Sequence, residues 1–275
     1  MGESAYRIME PETELTAPLR GVMIGSGAVA SALAPALERG GNVEWAQVYS
    51  PDINHARWLA DELISARPVD KVEEIMPDAD IYLIAVKDDA IAQLASHLPH
   101  NNALWMHTSG GVPVETLAPL SPNHGVFYPL QTFSKGVEVD MNYVPLFVEG
   151  SNEATEARIR SLALTVSRSV EHADSNLRKR LHCAAVFACN FTNHLWAVAD
   201  KILREQPGLD ITFLQPLLTE TLRKAMTVAP MLAQTGPARR GDTAVIERHK
   251  MLLSPEDAEL YDYLSKRIMK QYELD

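Results

Sequence analysis

The stretch GVMIGSGAVASALAPALERGG, Gly21 to Gly41, decides the fold. Val22-Met23-Ile24 is a short apolar run that meets Gly25-Ser26-Gly27-Ala28-Val29-Ala30, and an Ala- and Leu-rich segment then stops at Gly40-Gly41. The pattern reads as strand, tight turn, helix. Gly25 allows a turn conformation that a Cβ would oppose. Gly27 has no side chain, so a diphosphate can come close to the backbone, and Ala30 lets the helix pack near the strand. The helix N-terminus then offers free N–H groups and a partial positive charge to an anion. Small residues are common, so the GxGxxA pattern takes its force from context. A second strand-like run, Trp45 to Tyr49, supplies that context. The competing reading is a Gly-rich packing turn with no ligand.

Outward from this unit, apolar runs bounded by breakers predict further strands. They are Val43 to Tyr49, Pro68-Val69, Asp80 to Val86, Ala103 to His107, His124 to Tyr128, Pro145 to Glu149 and Arg168 to Glu171. Helical patterns fall between them, at Ile53 to Ile64, briefly at Val72 to Met76, from Lys87-Asp88-Asp89 onward, and at Glu153 to Thr165. From Asp174 strand-like runs cease. Asn176 to Arg204 reads as one helix, Thr212 to Gln234 as another kinked at Pro216 and near Pro230, then Asp242 to Leu253 and Glu256 to Glu273. The expected organisation is a flexible leader at 1–18, a Rossmann α/β domain with a doubly wound sheet at 19–173, and an all-helical domain at 174–275.

A net charge of -11 over 275 residues disfavours a nucleic-acid or acidic-membrane partner. No apolar run reaches the ~20 residues of a bilayer span, and no signal-peptide pattern opens the chain. Cys183 and Cys189 fall in one predicted helix, about 9 Å apart along its axis, and point to different faces. They cannot bridge, and reduced thiols suit a cytoplasmic protein. HExxH, GxSxG, GxxxxGK[ST] and Cys/His clusters at zinc spacing do not occur, so no metal site is expected.

In an open parallel sheet, ligands bind beyond the carboxyl ends of the strands. Gly25-Ser26-Gly27, Ser50, Val86-Lys87-Asp88 and His107-Thr108-Ser109-Gly110 mark four such ends. Ser50 places no carboxylate against a 2′-phosphate, which favours NADP over NAD. Its bland reading is a helix cap or a turn before Pro51. Arg57, one turn into the next helix, is a candidate phosphate contact. On the helix after Asn176, His182 and Asn193 point the same way at 100° per residue, with Asn190 and His194 on the same broad side. The plain alternative is a polar face turned to solvent or to another subunit. Two further polar groups are Tyr128, Gln131, Thr132 and Ser134, leaving a strand, and the loop Thr235-Gly236-Pro237-Ala238-Arg239-Arg240-Gly241-Asp242. There Arg239 and Arg240 could bind a carboxylate or phosphate, or simply lie in a solvated connector with Asp242 capping the next helix.

GSGAVASAL, AVKDDAI at 85–91, HTSG at 107–110, FYPLQTFS at 127–134, FACNFTNHL at 187–195 and TGPARRGD at 235–242 occur in this order. Together they resemble a bacterial family of Rossmann-like NADP oxidoreductases whose C-terminal helical domain has no assigned function. That family is similar in plan to pyrroline-5-carboxylate reductase, ketopantoate reductase, deazaflavin-dependent NADP reductase and the 6-phosphogluconate dehydrogenase group. The resemblance implies a helical domain of the 6-phosphogluconate dehydrogenase C-terminal type and a homodimer formed through it. It carries cofactor contacts over to Gly25, Ser26, Gly27, Ala28, Val29, Ser50, Val86, Lys87, Ile91, Ser109 and Gly110. Several relatives face the nicotinamide with a lysine and an asparagine; here His182 and Asn190 occupy comparable ground. Pro51 stands where family members often have arginine. The expected activity is NAD(P)-dependent reduction of a small carbonyl or imine compound. His182 would handle the proton and Asn190 and Asn193 would orient the substrate, which Tyr128, Gln131, Arg239 and Arg240 would help bind. The rival expectations are an NADP(H)-binding sensor or scaffold without chemistry, and hydride exchange with a deazaflavin.

Overall fold

The computed structural model describes residues 17–273. Residues 1–16 of the expected leader lie outside them. Described residues fall into two compact units that divide between Val186 and Phe187.

The first unit is built on one sheet. Its strands are β1 (Leu19–Ile24), β2 (Val43–Tyr49), β3 (Arg67–Val69), β4 (Ile81–Ile84), β5 (Leu104–His107), β6 (His124–Pro129), β7 (Leu146–Gly150) and β8 (Val170–His172). The spatial order is β3-β2-β1-β4-β5-β6-β7-β8. Strands β1 to β6 run parallel, β7 is antiparallel to β6, and β8 is parallel to β7. The order reverses between β1 and β4, which is the switch point where a doubly wound sheet opens a crevice. Helices α1 (Ala28–Arg39), α2 (Ile53–Ala60), α3 (Asp88–Ala95), α4 (Glu153–Leu164) and α5 (Ser175–Ala185) complete this unit.

Both faces of the sheet are covered, so successive strand residues feed different cores. Met23, Ile81, Leu83 and Met106 join Leu33 and Leu37 of α1 in one cluster. Val22, Ile24, Tyr82, Ile84 and Trp105 join Ile91 and Ala95 of α3 in the other. Three bulky aromatic side chains fix the strand packing. Trp45 donates its indole N–H to the Ala34 carbonyl at 2.8 Å. Tyr82 and Trp105 stack at 3.9 Å with planes 3° apart.

Helix starts follow cap chemistry. Asp52, Asn152 and Asp174 each accept a backbone N–H at the first turn of α2, α4 and α5. Asp52, not Ser50, therefore caps α2. Helix α2 ends at Ala60, short of the expected Ile64, with Asp61 as its C-cap.

The second unit is helical. The expected single helix from Asn176 to Arg204 is interrupted: α5 passes into a π-helical stretch, Val186–Phe191, before α6 (Thr192–Arg204). A π turn takes up extra residues, so the 100° count that put His182 and Asn193 on one face does not hold through it. Helices α7 (Gln215–Val228), α8 (Pro230–Ala233), α9 (Pro237–Arg240), α10 (Thr243–Lys250) and α11 (Pro255–Gln271) follow. Pro216 does not kink α7; it lies in the first turn, where its missing N–H costs nothing. The break before Pro230 is real, with Ala229 at φ 73°. The stretch expected as a loop at 235–242 contains the single turn α9, closed by left-handed Gly241, and Asp242 then caps α10.

Candidate nucleotide-binding site

The turn after β1 has the geometry that its residues dictate. Gly25 sits at φ 116°, and a Cβ there would lie 2.3 Å from the Ala85 carbonyl oxygen. The turn thus lets β1 and β4 run side by side to their ends, where Ala85 donates its N–H to Ile24. Gly27 differs: a Cβ on it would meet nothing within 4 Å. It borders open space at the N-terminus of α1. No side chain caps α1 and no acidic residue stands in its first turn. The first N–H groups of a helix have no partner within it. Here they face a space free of protein acceptors, which suits an anion.

That space is a cleft of about 790 Å³, a size suited to an organic cofactor. Gly25 to Val29 form one wall, Tyr49-Ser50-Pro51 and Val72 another, and Ala85-Val86-Lys87 with Ala90, Gln93, Leu94, His97 and Thr108 the remainder. The lining is largely apolar, as a slot for a planar base requires. Eight expected contacts therefore lie together here: Gly25, Ser26, Gly27, Ala28, Val29, Ser50, Val86 and Lys87.

Other expected contacts do not line the cleft. Ile91 is fully buried in the core beneath α3. Its neighbours Ala90, Gln93, Leu94 and His97 face the cleft instead, because the helix turns its other side outward. Ser109 spends its hydroxyl on the turn after β5, accepting the N–H groups of Gly111 and Val112 at 3.0 Å each. A Cβ added to Gly110 would run into the Tyr128 ring. Arg57 is exposed on α2, away from the cleft lining.

A second polar group lies past the ends of β5 and β6. Tyr128 is buried, and its hydroxyl is 3.3 Å from Nδ1 of the exposed His182 on α5. Burial, then the charge of Asp88, pushes the Tyr128 phenol above its ordinary range, against the opposing pull of Arg178. His107 is fully buried. Desolvation, helped by Arg178, lowers its pKa to about 4, so it is neutral at pH 7. Its Nδ1 accepts the Ser109 N–H, which leaves Nε2 to donate toward the Pro113 carbonyl. Sequence reasoning missed Arg178. Its side chain is wholly buried, paired with Glu149, and donates to the carbonyls of Ala173 at 2.9 Å and Val112 at 3.0 Å. An arginine on a polar helix reads as solvated, and no local signal distinguishes this one. Gln131 is exposed and turned onto its own loop, accepting the Thr132 N–H at 2.7 Å.

In the second unit, Asn190, Asn193, Arg239 and Arg240 are exposed. The Arg239 guanidinium lies over the Tyr272 ring, 4.1 Å from its centroid. Among the described residues no group of three or more His, Cys, Asp or Glu could hold a metal ion. None of the described helices is long and apolar enough to cross a membrane.

The sheet order, the glycine turn and the open helix terminus define a Rossmann-like α/β protein. A Rossmann-like domain model matches residues 10–131, and the model of a domain of unknown function, DUF2520, matches residues 144–268. A Bacteroides fragilis protein proposed to be an NADP oxidoreductase is 40% identical, with 92% of this chain and 98% of that one covered at a TM-score of 0.86. The chain belongs to the family that joins a Rossmann-like domain to a DUF2520 domain. More distant structures share the fold. An imine reductase of Streptomyces aurantiacus is 15% identical, with 92% and 93% covered at a TM-score of 0.62. A 1-pyrroline-5-carboxylate reductase of Streptococcus pyogenes is 13% identical, with 92% and 99% covered at 0.55. No protein with a curated description matches the chain.

Proposed function

We propose that this protein is an NAD(P)-dependent oxidoreductase acting on a small carbonyl or imine compound. The observation that carries the reading is the Gly25–Gly27 turn, which opens an uncapped helix terminus onto a 790 Å³ cleft at the sheet's switch point. The B. fragilis relative, whose description names NADP, supports the same reading. A bound dinucleotide supplies the hydride. The residues of this chain bind and orient it. Ser26 to Val29 would hold the diphosphate by backbone N–H groups, and Ser50 the adenosine ribose. Val86 and Leu94 would pack the base. Lys87, at the end of β4, is the cation among the lining residues beside these groups.

NADP is the preferred cofactor and NAD the alternative. Ser50, which carries no charge, lines the cleft at the end of β2, and Asp52 is not among the lining residues. His182 serves the proton-handling side of the reaction. Asn190, Asn193, Arg239 and Arg240, exposed on the second unit, are the polar groups there available to a substrate. The domain assignment that goes with these roles is a nucleotide-binding domain at 19–173 and a substrate and dimerisation domain at 174–275.

The exposed apolar residues of the helical unit support a homodimer, and a cytoplasmic location is part of the same proposal. Its only buried apolar residues among those described are Ala238 and Ile246, while Phe187, Phe213, Leu217, Leu222, Met226 and Leu232 are each more than half exposed. Monomers rarely carry that much exposed apolar surface. Sedimentation at micromolar concentration should give twice the chain mass.

The activity is tested by supplying NADPH with a panel of keto and imino acids. Wild type should oxidise NADPH with at least one, and His182→Ala should slow it. A flat response across the panel, or undiminished turnover in the variant, counts against the assignment.

A further inference from the structure

We infer that the Tyr128 hydroxyl delivers the proton that accompanies hydride transfer, and that His182 stands behind it as the positioning residue that returns the proton from solvent. This rests on the oxidoreductase reading and moves the donor role from His182, the residue expected from sequence, to Tyr128.

Topology places the phenol on the strand next to β5, one strand beyond the part of the cleft that reaches Thr108. The cleft spans the ends of β2, β1 and β4 and reaches Thr108, just past β5. A dinucleotide whose adenosine lies at Ser50 extends along this edge toward β5, and β6 is the next strand in the order. His107 pairs with Val126, so Tyr128 stands level with the turn that follows β5. That turn is shaped around it. A Cβ on Gly110 would come within 2.8 Å of the ring carbon that bears the hydroxyl and 2.9 Å of the oxygen itself.

The chemistry then divides between the two rings. Tyr128 is 6% exposed, and as a phenol it carries its proton at neutral pH and can donate it. A buried acid needs a route for reprotonation. His182 offers one, since it is exposed and its Nδ1 is 3.3 Å from the phenol. The rings meet edge to face, with planes at 67°. In the balanced step the substrate carbon gains the hydride and the C=O or C=N π pair moves to the heteroatom. The heteroatom takes the phenol proton. The phenolate takes the Nδ1 proton of His182 as Nε2 accepts one from water. One hydride and one solvent proton are consumed, and the reduced dinucleotide leaves oxidised. A histidine that merely satisfied a buried hydroxyl would do none of this.

The test uses the full-length protein, Tyr128→Phe and His182→Ala, NADPH, and pyruvate, glyoxylate and 1-pyrroline as probes. Tyr128→Phe should bind NADPH within about twofold of wild type by nucleotide fluorescence. It should lose about 100-fold or more in kcat with little change in KM, the range of a missing general acid. His182→Ala should lose about tenfold and recover when free imidazole is added, whereas Tyr128→Phe should not recover. Turnover of Tyr128→Phe close to wild type, or no imidazole rescue of His182→Ala, overturns the inference. If wild type binds NADPH but reduces no probe, the oxidoreductase reading fails separately. The pair is then judged by the His182 ring-nitrogen NMR signals. A shift of the Nδ1 resonance in Tyr128→Phe supports the pair, and an unmoved resonance overturns it.

Discussion

Replacing Gly27 with Asp should separate folding from binding. Gly27 is the N-cap of α1 at φ -78° and ψ -172°, extended backbone that any residue adopts. A Cβ there meets no atom within 4 Å, so the new side chain fits without strain. Aspartate is a favoured N-cap, and the exchange from glycine should change stability by only a few tenths of a kcal/mol, in the stabilising direction. Its carboxylate would bond the N–H groups meant for the diphosphate and set like charges side by side. Two unit charges about 4 Å apart at an effective dielectric near 20 repel by roughly 4 kcal/mol. That is about a thousandfold in Kd, and solvent screening leaves at least about a hundredfold. Thermal melting should show Tm unchanged or slightly raised, while calorimetric titration with NADPH shows binding abolished or weakened by that factor. A variant that melts like wild type and binds NADPH within threefold of it would refute the placement of the diphosphate at α1.

Three further expectations concern stability and charge. Gly25→Ala forces a Cβ at φ 116° to within 2.3 Å of the Ala85 carbonyl, so it should cost more than about 2 kcal/mol and lower Tm by several degrees; an unchanged melt would contradict the turn geometry. Arg178→Ala leaves the Glu149 carboxylate without its buried partner and should destabilise by about 3–5 kcal/mol in urea unfolding. His107 carries a pKa of about 4 in the folded protein against about 6.5 unfolded. Between those values the unfolded chain binds the extra proton, so this residue's share of stability is intact above pH 6.5 and falls with acidification, by up to about 3 kcal/mol at pH 4. Unfolding free energies of wild type and His107→Gln should therefore diverge in slope across that window, the variant being flatter.

How much of this was legible in sequence depends on how local the cause is. The central strands β4, β5 and β6 stand where apolar runs lie between breakers, because a strand buried on both faces is apolar throughout, whereas the edge strands β3 and β8 carry exposed Arg67, Glu171 and His172 and are marked only by position. The Gly25–Gly27 turn was legible for the same reason, since positive φ and close backbone approach demand glycine locally. Helix phase was less so. Ile91 looks like its neighbours on α3, yet only the packed structure shows that it faces the core while Leu94 and His97 face the cleft. Ser50 and Asp52 both suit a cap, and the fold chose Asp52. The π stretch at Val186–Phe191 has no sequence mark, so angular reasoning across it went astray. Arg178 and the approach of Tyr128 to His182 depend on pairings across the fold, at separations of 29 and 54 residues. No periodicity reports such contacts.

The central claim is that the cleft beyond β1, β2 and β4 holds a nicotinamide dinucleotide. Isothermal titration of purified wild-type protein with NADPH and, separately, NADH tests it most directly. The account predicts saturable binding of one dinucleotide per chain, tighter for NADPH. An absence of heat with both nucleotides, from protein shown to be folded, would contradict it.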